Sequence, residues 1–113
     1  MSLPTEGKLL RIFVGESDRW EGAPLYEAIV LEARKRGLAG ATVVKGVMGF
    51  GAHSRIHTAK LLELSQDLPM VVEIVDAADK IEAFMPDLEK MVGDGLITIE
   101  RAEVRLYRPR PER

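Results

Sequence analysis

Cysteine is absent from the 113 residues. Disulfides, thiolate metal sites and cysteine nucleophiles are therefore excluded, and a reducing compartment suits the chain. An excess of positive charge is missing too, since sixteen Lys and Arg face eighteen Asp and Glu, for a formal charge of -2. General affinity for nucleic acid needs a basic footprint that displaces counterions from phosphates, so no nucleic-acid partner is expected. Long apolar runs are lacking as well. None approaches the ~18 residues of a membrane span, and no charged-then-apolar leader opens the chain, so it reads as cytoplasmic with no membrane insertion. There is no internal repeat or low-complexity tract to compete with a compact fold.

What remains is 46% apolar, enough for one domain with a real core. We expect residues 1–7 to be a loose lead-in, 8–107 the domain and 108–113 a tail. Lys8 to Gly15 is apolar on both alternating faces apart from Arg11, the pattern of a central strand. A charged loop, Glu16 to Gly22, follows and carries the only tryptophan, Trp20, which we expect to close the next helix against the sheet. Pro24 stands at the expected first helical position, the helix turns Leu25, Ile29 and Ala33 inward, and Gly37 stops it. Ala41 to Met48 reads as a second strand, Met70 to Val75 as a third after the Asp67-Leu68-Pro69 punctuation, and Leu96 to Leu106 as a fourth. Between the last two, Asp76 is the expected N-cap of a helix with Ile81, Phe84, Met85, Leu88, Met91 and Val92 on one face, kinked or shortened by Pro86. About twenty residues between Gly49 and Pro69 show no clean period, far more than the ~4–6 of an ordinary connection. Such a loop is normally functional or disordered. Its second half, from Ala59 to Leu64, fits a short helix or an extended lead-in equally well.

The order β-α-β-β-α-β specifies an α+β fold, the ferredoxin-like sandwich with a four-stranded antiparallel sheet. Right-handed crossovers make the first two strands parallel, put the third between them and the fourth beside the first. The ends of strands one and two and the starts of strands three and four then share one edge. Three segments meet there: Glu16 to Gly22, the stretch from Lys45 to His57, and Gly93-Asp94-Gly95. In the second of these, Gly46, Gly49 and Gly51 are expected to turn through positive φ and expose N–H groups as an anion nest, with His53, Ser54 and Arg55 as further donors. Its plainer reading is a tight strand exit. Helices cover only one face of such a sheet, so the apolar second face predicts a homo-oligomer.

Several segments together carry a resemblance: Arg11 to Trp20, Pro24 to Ile29, Gly40 to Val43, Gly49-Phe50-Gly51 and Asp67-Leu68-Pro69. They resemble the family called domain of unknown function 190, which is in turn similar to the PII signalling proteins. The resemblance implies a PII-like homotrimer with AMP, ADP or ATP in the clefts between subunits and no required cofactor. It also implies a long loop, residues 52–66, that signals to a regulated enzyme or transporter. On that likeness Gly49 and Gly51 correspond to the base of the PII T-loop, and Gly93, Asp94 and Gly95 to its phosphate-binding turn. PII proteins follow that turn with a lysine, and here the residue is Leu96, which leaves room for a mono- or diphosphate. The expected nucleotide-binding set is thus Gly49, Phe50, Gly51, His53, Ser54, Arg55, Gly93, Asp94 and Gly95, with Glu16, Arg19 and Arg105. Arg105 belongs to it only through a neighbouring subunit or a folded-back tail, because strand four runs away from the shared edge. Glu16, Asp18 and Arg19 equally suit a local salt-bridge cluster.

Other chemistries find less support in the pattern. His53 and His57 have helical metal-ligand spacing but no third ligand nearby, which would be the basis of a metal-binding trimer similar to CutA. A small nucleotide hydrolase would use His53 or His57 as base, yet neither Ser54 nor these histidines has an orienting carboxylate. We therefore expect a binding protein and not an enzyme.

Overall fold

The structure is a computed structural model. It describes residues 5–51, 57–58 (as backbone) and 67–111. The elements are β1 (Glu6–Gly15), β2 (Arg19–Trp20), β3 (Ala23–Pro24), α1 (Leu25–Lys35), β4 (Thr42–Lys45), β5 (Met48–Gly49), β6 (His57–Thr58), β7 (Pro69–Asp76), α2 (Ala78–Met91) and β8 (Leu96–Glu103). The main sheet has the order β4-β7-β1-β8 with every neighbour antiparallel. This is the ferredoxin-like α+β arrangement expected from the element order.

Alternation in β1 and β7 builds the core. Leu10, Ile12 and Val14 stand opposite Ile74, Val72 and Met70 on one face, and all six are buried. Both helices lie on that face. Leu25, Ile29 and Ala33 of α1 and Ile81, Phe84, Leu88 and Met91 of α2 complete the cluster, with Trp20 and Tyr26 packed against it. Trp20 thus closes α1 onto the sheet, as its position suggested.

Local chemistry sets the element ends. Glu21 and Gly22 both have positive φ, 48° and 85°, as a two-residue type I′ turn between β2 and β3 requires. Gly37, at φ 76°, closes α1 with the paired bonds of a Schellman motif, Leu38 N–H to Ala33 O and Gly37 N–H to Arg34 O, both 3.1 Å.

Several expectations need correcting. Pro24 belongs to β3 and precedes the helix, which begins at Leu25. Asp76 is not an N-cap: Ala77 holds that place without a side-chain bond. Asp76 is instead the last residue of β7, only 2% exposed, and its carboxylate accepts the N–H of Ala39 at 2.9 Å and of Ala77 at 2.7 Å. It fastens the loop after α1 to the sheet. Pro86 does not divide α2, which runs through it. The residue is exposed, so the carbonyl deprived of its helical donor can turn to water. The second strand also differs, leaving the sheet at Lys45 and resuming as β5, which pairs with β6 in a separate ribbon.

The second face is half-buried and mixed. Leu9, Phe13, Val71 and Val75 surround Arg11, whose guanidinium binds Glu73 at 2.8 Å and Glu100 at 3.2 Å. The hydrogen bond to Glu73 holds Arg11 above its ordinary pKa against the opposing desolvation, with the charge of Glu100 adding to the effect. The tail crosses this face at the far edge, where Tyr107 Oη donates to Ala39 O at 3.3 Å, and roofs a groove of about 870 Å³. Among the described residues no helix is long and apolar enough to cross a membrane.

Asp76→Ala, which strands two partly buried N–H groups, should cost about 2–3 kcal/mol in urea unfolding. Asp76→Asn keeps one acceptor and should cost less.

Candidate functional site

Register places the candidate edge. Gly15 at the end of β1 is paired with Pro69 at the start of β7, Phe13 with Leu96 at the start of β8, and Lys45 at the end of β4 with Met70. The three segments singled out by topology therefore do converge: the 16–22 loop, the glycine stretch beyond Lys45, and the turn at Gly93–Gly95.

Backbone conformation there is not that of the expected nest. Among the described residues only Gly22 and Gly37 are glycines of positive φ, so Gly46, Gly49 and Gly51 do not adopt it. Steric closeness explains two of them instead. A β-carbon on Gly46 would lie 2.7 Å from Pro69 Cγ, and one on Gly49 3.0 Å from the same atom. The Gly46 N–H is also spent, donating to Pro69 O at 2.7 Å. Gly95 is similarly confined, since a β-carbon there would come within 2.6 Å of Phe13 O. Gly51 and Gly93, by contrast, would have no atom of the described residues within 4 Å of an added β-carbon.

Nor do Glu16, Asp18 and Arg19 form a cluster with one another. Glu16 reaches across the edge to Lys45, Oε2 to Nζ at 2.8 Å. Asp18 holds its own turn, accepting the Gly15 N–H at 2.9 Å, and Arg19 donates to Gly22 O. The turn after β1 commits the Asp18 carboxylate to the Gly15 N–H and leaves Glu16 beside Lys45 of a different strand, so sequence proximity did not bring these charges together.

Phe50 is 67% exposed beside exposed Val47 and Met48, an apolar rim to the edge. Gly93, Asp94 and Gly95 are exposed in the turn between α2 and β8. Arg105 lies at the opposite end, lining the groove under the tail, 3.6 Å from Glu103. Within one chain it is not part of this edge. His53, Ser54, Arg55 and the 59–64 segment lie outside the described residues. His57 is described only as backbone, paired with Gly49. Among the described residues no three His, Asp or Glu side chains gather as a metal site.

One residue that sequence reasoning treated as mere punctuation belongs here. Asp67 Oδ1 accepts the Ser17 N–H at 2.9 Å, next to the Glu16 N–H bond to Leu68 O at 2.8 Å. The signal was available: the topology sets the residue before strand three beside the exit of strand one.

The family model for DUF190, described as Uncharacterized ACR, matches residues 7–104. The chain belongs to the DUF190 family. A UPF0166 protein of Aquifex aeolicus is 44% identical over 97 residues, covering 86% of this chain and 91% of that protein. A UPF0166 protein of Methanocaldococcus jannaschii is 33% identical over 100 residues, covering 88% and 92%. Among solved structures the chain is similar in fold to CPII, a nitrogen regulatory PII-like protein of Thiomonas intermedia K12, bound to ADP, AMP and bicarbonate. The TM-score is 0.60 at 18% identity, with 88% of each chain covered. A second CPII structure, bound to ADP, AMP and acetate, gives 0.56 over 92% of each chain. At that identity the likeness is one of fold, and it makes this DUF190 member PII-like in architecture.

Gly95→Ala should cost about 1–3 kcal/mol in thermal or urea unfolding because backbone must yield. Gly51→Ala and Gly93→Ala meet nothing among the described residues and should stay within about 0.5 kcal/mol of the parent.

Proposed function

We propose that this DUF190 protein is a PII-like regulator that binds an adenine nucleotide in clefts between subunits of a homotrimer. The single observation that carries this reading is the convergence of three separate segments on one edge, around the open positions Gly51 and Gly93. Neighbours of the same fold that are bound to ADP and AMP support the choice of ligand. Phosphates would lie along Gly49–Gly51 and Gly93–Gly95, with His53, Ser54 and Arg55 as side-chain donors. Phe50, exposed at the rim, offers a surface for the base. Glu16 and Arg19 border the edge, and Arg105 would enter from a neighbouring copy.

The protein acts by binding and not by turnover. Ligand orders the 52–66 loop, which then engages or releases a regulated enzyme or transporter in the cytoplasm. A coupling of ~1–3 kcal/mol suffices for such a switch. Trimer formation would cover the half-buried face carrying Leu9, Phe13, Val71 and Val75, where a lone chain leaves apolar surface in water.

Calorimetry with AMP, ADP and ATP should find one preferred nucleotide, and Gly51→Val should weaken it at least about tenfold, or ~1.4 kcal/mol, without unfolding the protein. Unchanged affinity in that variant would sink the site assignment. Sedimentation should give a trimer that Phe13→Glu converts to smaller species, since a charge would be placed in the covered face.

A further inference from the structure

We propose that Glu16 and Asp67 are internal anions: in the free protein their carboxylates hold the donors at the edge that a ligand phosphate needs, and binding displaces them. This rests on the reading that nucleotide phosphates bind at this edge.

Two contacts carry the inference. Lys45, the cation at the end of β4, gives its ammonium to Glu16 at 2.8 Å, although the lysine side chain remains 52% exposed and the glutamate 28%. Ser17, exposed just beyond β1, gives its N–H to Asp67 Oδ1 at 2.9 Å. Room for the second contact is made by Gly15, where a β-carbon would fall 2.4 Å from Asp67 Oδ1. The carboxylate is thus seated against bare backbone, as an incoming phosphate oxygen would be.

Both pairs are partly solvated, so each is weak enough to be exchanged. A dianionic phosphoryl group offers more charge and more acceptor oxygens than one carboxylate, so it would compete for either donor. The two acids also flank the long connection: Glu16 is tied to Lys45 before it, and Asp67 ends it. Asp18 has a different part. It accepts the part-buried Gly15 N–H while its own N–H donates to Gly15 O and its carbonyl accepts the Leu25 N–H, so its carboxylate closes a local turn and does not reach across the edge.

The test separates competition from simple fastening. A fastener, when removed, loosens the edge and weakens binding, whereas a competitor, when removed, strengthens it. Glu16→Gln and Asp67→Asn should each bind inorganic pyrophosphate about three- to tenfold more tightly than the parent at low ionic strength, and ADP should follow in parallel. Asp18→Asn, the control, should lower the melting temperature without any gain in affinity. Equal or weaker pyrophosphate binding in both folded variants overturns the proposal, as does failure of every variant to bind pyrophosphate. If the variants gain pyrophosphate affinity while no form binds ADP, the internal anions stand and the nucleotide reading falls. ADP binding by the parent that is unchanged in both variants leaves the nucleotide reading and removes this one.

Discussion

Pro69 is the point on which the candidate edge depends. It opens β7 and is paired with Gly15, its ring lies against the positions of Gly46 and Gly49, and its carbonyl takes the Gly46 N–H. Three backbones come this close only because two of them carry no β-carbon at the contact, where any side chain would collide at 3.0 Å or less. The chain therefore leaves the sheet after Lys45 and cannot continue as one long strand. A proline at the first position of a central strand loses no ladder bond to its partner on that side. What looked like punctuation between elements is a packing constraint that aims the long connection.

The remainder of the edge follows from pairing. Once β7 runs antiparallel between β4 and β1, and β8 pairs with β1, the loops at their common end are neighbours whatever they contain. The protein then fills that end with donors held by carboxylates: Lys45 on Glu16, Ser17 N–H on Asp67, Gly15 N–H on Asp18. The far edge is built otherwise. There a buried carboxylate, Asp76, and the Tyr107 hydroxyl both act on Ala39, from N–H and carbonyl respectively, so that end is fastened and the tail is drawn across the open face. One end of the sheet is thus tied by part-buried bonds, and the other by an ion pair and backbone-to-carboxylate bonds that are more open to solvent.

The open face has its own logic. Arg11 at its centre is flanked by two glutamates and ringed by apolar side chains, an arrangement too apolar for permanent exposure and too charged for a dry core. A wet, polar-centred interface between copies, such as the proposed trimer would form, would meet both conditions. The same face receives the tail that carries Arg105.

Periodicity made most of the fold legible. The i, i+4 spacing of Leu25, Ile29 and Ala33, the period of Ile81, Phe84, Leu88 and Met91, and the alternation in β1 and β7 are local properties, because each side chain's direction follows from its own backbone state. Element order then determined the sheet, since few topologies satisfy handedness. Gly37 and the positions of the three edge segments could be read in the same way. The rest lay in contacts between residues far apart in sequence. That Asp76 is a buried acceptor and not a cap, that Glu16 answers Lys45 and not Arg19, and that Gly46 and Gly49 yield to Pro69 instead of turning left-handed were settled by tertiary packing. Such contacts depend on where strands lie against each other, and a single strand's pattern carries no term for its neighbour.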